Sequence, residues 1–266
     1  MEGGERGLTE RGSAALTGSP SATRHSGGRM RRPLGVVFDL GDTVLSLDSI
    51  DGVAGDRRLL EFADDAAGLT AEDLNLAAEE LGRETMRLSD ESMRQQTWQS
   101  FNRLLCETLG ITFTVGYAEL EREFWNTAMT FVPCEGIYGV LDTLERNHIK
   151  TGILSNTSMT GRVLEEELAK HNLAHRFSFV ISSADYGFRK PHSRIFQVAV
   201  RKMDLEPRDI WFVGDKLEYD IKGAIDSGLY PVWYNPQGKP NDAGYECLEV
   251  RSWYELANKV GALCSH

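Results

Sequence analysis

Short apolar runs and stretches of helical periodicity alternate along most of this 266-residue chain, and that alternation limits the fold more than any other feature. The runs are Leu34 to Phe38, Thr151 to Leu154, Phe177 to Ile181, Ile210 to Val213 and Tyr230 to Tyr234. Each is too short for a helix and is closed by polar or turn-forming residues, so each reads as a buried strand. Between them, Ile137, Val140, Leu141 and Leu144 fall at the spacing of one helix face, as do Leu217, Ile221, Ala224 and Ile225. Strand, helix, strand in this order predicts βαβ units: an α/β fold whose parallel sheet is covered on both faces. Ligands of such a sheet gather beyond the carboxyl ends of its strands.

One interval departs from the alternation. Between the first and second strands only helical periodicity is found, with Leu74, Ala77, Ala78 and Leu81 on one face and Phe101, Leu104, Leu105 and Leu109 on another. The expectation is a helical subdomain over 51–135, inserted into a core made of 34–50 and 136–266. Residues 44–149 hold 20 acidic residues, 8 arginines and no lysine, a net charge of −12 against −11 for the whole chain. Such a run reads either as a solvated outer face or as a lid that discourages highly charged substrates. Trp98, Phe101, Trp125 and Phe131 likewise read either as core of the insertion or as a substrate face suited to a ring.

The acidic balance would repel nucleic acid and anionic membrane, so neither is expected as a partner. No run approaches the ~18 apolar residues of a membrane-spanning helix. Cys106, Cys134, Cys247 and Cys264 are too scattered for a CxxC metal knuckle or redox dithiol. A reducing cytoplasm is the expected location. Residues 1–33 carry six arginines, three glutamates and few large aliphatic side chains. They are expected to form a disordered tail, either dispensable or upstream of a start at Met30.

Four segments set reactive side chains just after predicted strands: Asp39-Leu40-Gly41-Asp42-Thr43, Ser155-Asn156-Thr157, Arg189-Lys190-Pro191, and Gly214-Asp215 with Asp220 following. Each alone is ordinary turn chemistry. Together, as Phe-Asp-Leu-x-x-Thr, Leu-Ser-Asn, Arg-Lys-Pro-x-x-x-Ile-Phe and Val-Gly-Asp-x-x-x-x-Asp-Ile-x-Gly-Ala, they resemble the haloacid dehalogenase superfamily. The branch is the one with an all-helical cap after the first strand, and the likeness runs from Leu34 to Tyr234. It implies a Rossmann-like core, an active site between core and cap, and Mg²⁺-dependent phosphoryl transfer through an aspartyl-phosphate. In that reading Asp39 is the nucleophile, and Asp39, the Gly41 carbonyl, Asp215 and Asp220 build the metal site. Ser155, Asn156 and Lys190 hold phosphate. The substrate would be a small phosphorylated metabolite, because a cap closing over the site excludes polymers. Residue chemistry agrees: one anion attacks another only where a cation screens their repulsion, and carboxylate oxygens suit Mg²⁺.

Phosphatases of the superfamily usually carry a second aspartate two residues after the nucleophile, as general acid and base. Here that position is Gly41, and Asp42 reads as an ordinary loop residue. Three outcomes stay open. The chain is a hydrolase limited by its missing acid, or a 2-haloacid dehalogenase-like enzyme whose halide departs unassisted, or a homologue that binds metal or phosphate without turnover. Asp215 and Asp220 weigh against the second, since displacement at carbon needs no metal. The lysine-free insertion argues against Schiff-base cleavage of phosphonates. No histidine has paired metal-ligand spacing.

Overall fold

The computed structural model describes residues 30–265, so the expected tail lies outside the described residues apart from its last four positions. Those four lie against the core: Met30 is half-buried there, and Arg32 Nη2 donates to the Asn147 carbonyl oxygen at 2.7 Å. The chain then enters β1 (Gly35–Phe38), which is apolar on both faces and buried throughout, as a strand between two helical layers must be. β2 (Leu45–Ile50) leads out into the insertion: α1 (Gly52–Leu60), β3 (Ala63–Asp65), α2 (Ala71–Ser92), α3 (Trp98–Leu109), β4 (Thr112–Phe113) and α4 (Tyr117–Ala128). β5 (Met129–Pro133) returns antiparallel to β2.

From there strand and helix alternate as the sequence predicts. The elements are α5 (Ile137–Arg146), β6 (Lys150–Ser155), α6 (Gly161–Lys170), β7 (Val180–Ser182), α7 (Ser183–Tyr186), α8 (Ser193–Met203) and β8 (Ile210–Gly214). After them come α9 (Lys222–Asp226), β9 (Tyr230–Tyr234), β10 (Leu248–Val250) and α10 (Trp253–Cys264).

The main sheet runs β10-β9-β8-β1-β6-β7 with every pairing parallel. Strand pleating sends Val36 and Phe38 to one face, into a cluster with Ile137, Leu141, Val163 and Trp253 from α5, α6 and α10. Val37 faces the other way, toward Phe196 and Ala199 of α8. The chain moves from β1 to β6 and β7 on one side, then crosses back to β8 on the other. β1 therefore sits at the switch point where such sheets open a crevice.

Several local expectations change. Phe177 to Ile181 becomes a strand only from Val180, because a 3₁₀ turn over Ala174–Arg176 delays it. Phe179 then packs so close to Gly152 that a Cβ there would lie 2.3 Å from its ring. The helix expected from Leu217 begins as one π-helical turn, Leu217–Ile221, before α9. In the insertion, Leu74, Leu105, Cys106 and Ile111 form a small core, but Leu104 is 51% exposed. α2 is started by a capping box between Thr70 and Asp73, and α3 by Thr97 accepting from the Ser100 amide. The antiparallel pairs β2–β5 and β3–β4 are additions to the helices expected there; β2 ends where the insertion is expected to begin, and β5 lies inside it. The aromatic residues follow their core reading: Trp98 and Trp125 are buried, and Trp125 stacks on Phe131 at 4.9 Å. Among the described residues no helix is long and apolar enough to cross a membrane.

Asp56 of α1 is 2% exposed and accepts from Asn75 Nδ2 at 3.0 Å. Burial pushes its carboxyl up to about 6 from the ordinary 3.8, with the Asn75 bond pulling the other way. The folded state thus holds this proton more tightly than the unfolded chain does. Stability falls as pH rises from 3.8 to about 6, and the loss is complete above that. A gap of this size corresponds to roughly 3 kcal/mol. Asp56→Asn is expected to stabilise the protein in urea unfolding at neutral pH, with the gain fading as pH falls from about 6 to 3.8 and absent below that. A pH-independent difference would show that charge burial is not its cause.

Candidate active site

Phe38 pairs with Ile153 of β6 and Val213 of β8, so the ends of these three central strands come level at one edge of the sheet. Asp39 follows β1, Ser155 ends β6, and Asp215 follows β8; all three emerge at that edge. Lys190 arrives on the loop between α7 and α8, and Asp220 on the π-helical turn. Lys190 is only 2% exposed, and its Nζ lies 2.6 Å from Asp39 Oδ1 and 2.6 Å from Asp220 Oδ1. Asp220 Oδ2 in turn accepts from the Lys216 amide at 2.9 Å. Gly214 makes this approach possible, because a Cβ there would sit 2.4 Å from Asp220 Cγ. One oxygen each from Asp39, Asp215 and Asp220 lies within 4.8 Å of the others.

The charges are unbalanced. Burial pushes the Asp39 carboxyl up to about 7; Lys190 opposes this and Asp220 adds to it. Burial also works against the Lys190 ammonium, but Asp220 and Asp39 outweigh it and raise its pKa. Asp215 is raised as well, chiefly by burial. Asp39 and Asp220 thus share one buried ammonium, while Asp215 is paired at the rim with Lys216, whose Nζ lies 2.6 Å from its Oδ2. Asp215 Oδ1 is buried and has no hydrogen-bond partner among the described residues. An orphan hard oxygen beside two further carboxylates and a cation deficit is the donor chemistry of a divalent ion such as Mg²⁺.

Two expected site residues acquire sharper roles. The Asn156 side chain is committed to the Lys190 backbone: its Oδ1 accepts from Lys190 N at 2.7 Å and its Nδ2 donates to Lys190 O at 3.0 Å. It positions the lysine. Asp220 has both oxygens hydrogen-bonded and ties Lys190 to the start of the π-helical turn. Gly41 stands exposed in the turn after Asp39, where a side chain would meet nothing within 4 Å. Asp42 has a left-handed backbone (φ 54) and accepts from Ser46 Oγ at 3.2 Å. Thr43 is fully buried, and its Oγ1 has no partner among the described residues.

The insertion grips the loops behind the site, which residue spacing does not reveal. Trp98 N donates to Ser158 O at 2.8 Å, and Ser183 Oγ donates to Gln95 Oε1 at 3.1 Å. The buried Glu121 accepts from the Thr160 amide at 2.7 Å, at the start of α6. An antiparallel bridge joins Arg94 to Phe188, two residues before Lys190.

The profile of haloacid dehalogenase-like hydrolases matches residues 71–233. The chain belongs to that family. Among characterised relatives of this haloacid dehalogenase-like chain, the glyceraldehyde 3-phosphate phosphatase of Methanothermobacter thermautotrophicus is 28% identical over 207 residues, covering 76% of this chain and 85% of that protein. The pyrimidine 5′-nucleotidase YjjG of Escherichia coli is 24% identical over 244 residues, covering 87% and 98%. The family fold is also that of a 2-haloacid dehalogenase from Pseudomonas syringae, with a TM-score of 0.61 at 24% identity over 88% of this chain and 99% of that one.

Removing Lys190 from this family member strands two buried carboxylates. Lys190→Met is expected to cost ~3–5 kcal/mol in urea unfolding, as breaking a buried ion pair does. Adding Asp220→Asn should recover part of the loss. A single variant as stable as wild type would show that the carboxylates are not held by the ammonium.

Proposed function

We propose that this chain is a Mg²⁺-dependent hydrolase of small phosphomonoesters, acting through an aspartyl-phosphate on Asp39. The observation that carries the reading is Asp39 itself: a carboxylate at the switch point of the sheet, gripped by a buried lysine and within 4.8 Å of two further carboxylate groups. Asp39, Asp215 and the Gly41 carbonyl would hold the metal, with Asp220 bracing the group. When bound, Mg²⁺ supplies the positive charge that lets one anion approach another.

Lys190 holds Asp39 Oδ1, which leaves Oδ2 to attack phosphorus. The P–O bond to the leaving group breaks and Asp39 carries the phosphoryl group; water then cleaves the acyl phosphate and releases phosphate. Lys190 and Ser155 would offset charge on the phosphoryl oxygens. Relatives named as phosphatases support this reading. The dehalogenase alternative is disfavoured by the Asp215–Asp220 pair, for which displacement at carbon has no use.

Trapping tests the reading directly. Borohydride added during turnover of an aryl phosphate with Mg²⁺ is expected to convert residue 39 to homoserine, and Asp39→Asn to abolish turnover. Chloride release from a 2-haloacid without metal would replace the reading. With no acid at Gly41, rates should rise steeply as the leaving group becomes more acidic. Since a side chain at position 41 has room and the backbone there is unstrained, Gly41→Asp is expected to speed alkyl phosphates by ~10²-fold, the scale of general acid catalysis. A flat dependence on leaving group in the wild type would mean that another acid operates.

A further inference from the structure

Lys190 has a counterpart. At the end of β9, Asn235 is 2% exposed, and its Oδ1 accepts from Lys239 N at 2.9 Å while its Nδ2 donates to Lys239 O at 2.9 Å. This is the same two-way grip that Asn156 places on Lys190. The grip is itself anchored: Asn235 Nδ2 also donates to Glu249 Oε1 at 2.9 Å, and Asn235 N to Val250 O of β10 at 2.8 Å. Gly238 adopts φ 63, which closes the turn in a conformation that L side chains rarely take. A buried amide with its hydrogen bonds satisfied by one short loop fixes that loop in place.

The loop borders a cavity of about 380 Å³ that reaches Asp215 and is also lined by Asp42, Ser46, Glu135, Lys216 and Lys239. That volume lies within the range of small-ligand pockets, roughly 300–1,000 Å³. On the β6–β7 side, the insertion is hydrogen-bonded to the core loops through Trp98, Gln95 and Glu121. The lining mixes carboxylates with ammonium groups. Hydroxyls satisfy both, donating to Asp42 and Glu135 and accepting from lysine. A second anionic group on the ligand would be repelled by the two acids, and a nucleobase would find little aromatic face, since Tyr234, the aromatic residue in the lining, is already stacked on Trp253 at 4.3 Å. Lys216 is already paired with Asp215, whereas Lys239 forms no salt bridge among the described residues.

We propose that this pocket takes the leaving group of a hydroxyl-rich phosphate ester, and that Lys239 is a specificity-determining residue within it. The inference rests on the hydrolase reading above. With Mg²⁺, kcat/KM is to be measured on ribose 5-phosphate, glycerol phosphate, 5′-UMP and phenyl phosphate for wild type, Lys239→Glu and Lys239→Arg. Lys239 is exposed, so both variants are expected to fold. The wild type should prefer the two polyol esters. Lys239→Glu should lower the preference for ribose 5-phosphate over phenyl phosphate about tenfold, through KM rather than kcat, as loss of one charge-assisted hydrogen bond implies. Lys239→Arg should restore it. In calorimetry, Asp39→Asn should bind ribose 5-phosphate more tightly than Asp39→Asn combined with Lys239→Glu. An unchanged preference in Lys239→Glu, or better turnover of 5′-UMP than of the polyol esters, overturns the pocket assignment while leaving the hydrolase standing. No turnover of any ester by the wild type sinks both.

Discussion

The ammonium of Lys190 lies inside the protein, and water cannot solvate it there. It survives as a charge because Asp39 and Asp220 meet it at 2.6 Å each, from two separate segments of the chain. Much of the local structure answers to that demand. Gly214 lacks a side chain so that Asp220 can come in; Asn156 fixes the Lys190 backbone; the π-helical turn aims Asp220 inward and takes its second oxygen through the Lys216 amide. A loop, a turn and a strand end are thereby held in one arrangement. The same unbalanced charge suits the site to a cation and, in the hydrolase reading, would admit an anionic substrate through it.

The acidity of the insertion has a more varied meaning than a solvated face. Most of its carboxylates do point to water, but several are structural. Glu121 is buried and accepts from Thr160 and Gln99, so it serves as the capping acid for a helix of the core. Asp73 closes the first turn of α2, and Asp56 sits beneath α2 against Asn75. Across the same junction the indole of Trp125 donates to the buried Glu167 of α6 at 2.8 Å. An insertion joined to the core by buried hydrogen bonds must trade each of them for water when it swings away, at a net ~0.5–1.5 kcal/mol apiece.

Strand β1, the faces of α5 and the four loop segments were legible because each is encoded within a few residues of itself. Val36, Val37 and Phe38 are apolar on both faces, and Ile137 to Leu144 repeat at the helical period; all are buried. Asp39 and Asp215 stand directly after strands, whereas Lys190 and Asp220 are legible through the order of the four motifs together, and the structure gathers all four. What escaped was encoded by partners distant in sequence. The two-way grip of Asn156 on Lys190 spans 34 residues, and that of Glu121 on Thr160 spans 39. β2 and β5 were missed for another reason: only Leu45 and Leu47 of β2 are apolar before the strand turns polar, and the pair lies half in solvent. Leu104 errs the other way, being apolar at the right spacing on a helix whose inner stripe is too narrow to reach it.

Gly41 gives the site its asymmetry. Phosphoryl transfer through a loose transition state builds charge on the leaving oxygen, and that charge must be met by a proton, by a cation or by the leaving group's own acidity. In the hydrolase reading the groups around Asp39 would serve the other end of the bond: Lys190 on the attacking carboxylate and Ser155 beside the phosphoryl oxygens. A glycine with open space beside it supplies nothing to the departing atom. In the hydrolase reading the burden therefore falls on the leaving group's own acidity. The pocket beside Asp215, with Lys239 in its lining, is proposed to meet the ester's hydroxyls instead. Contacts of that kind are made alike before and in the transition state, so they set KM and selectivity while the departing charge sets kcat.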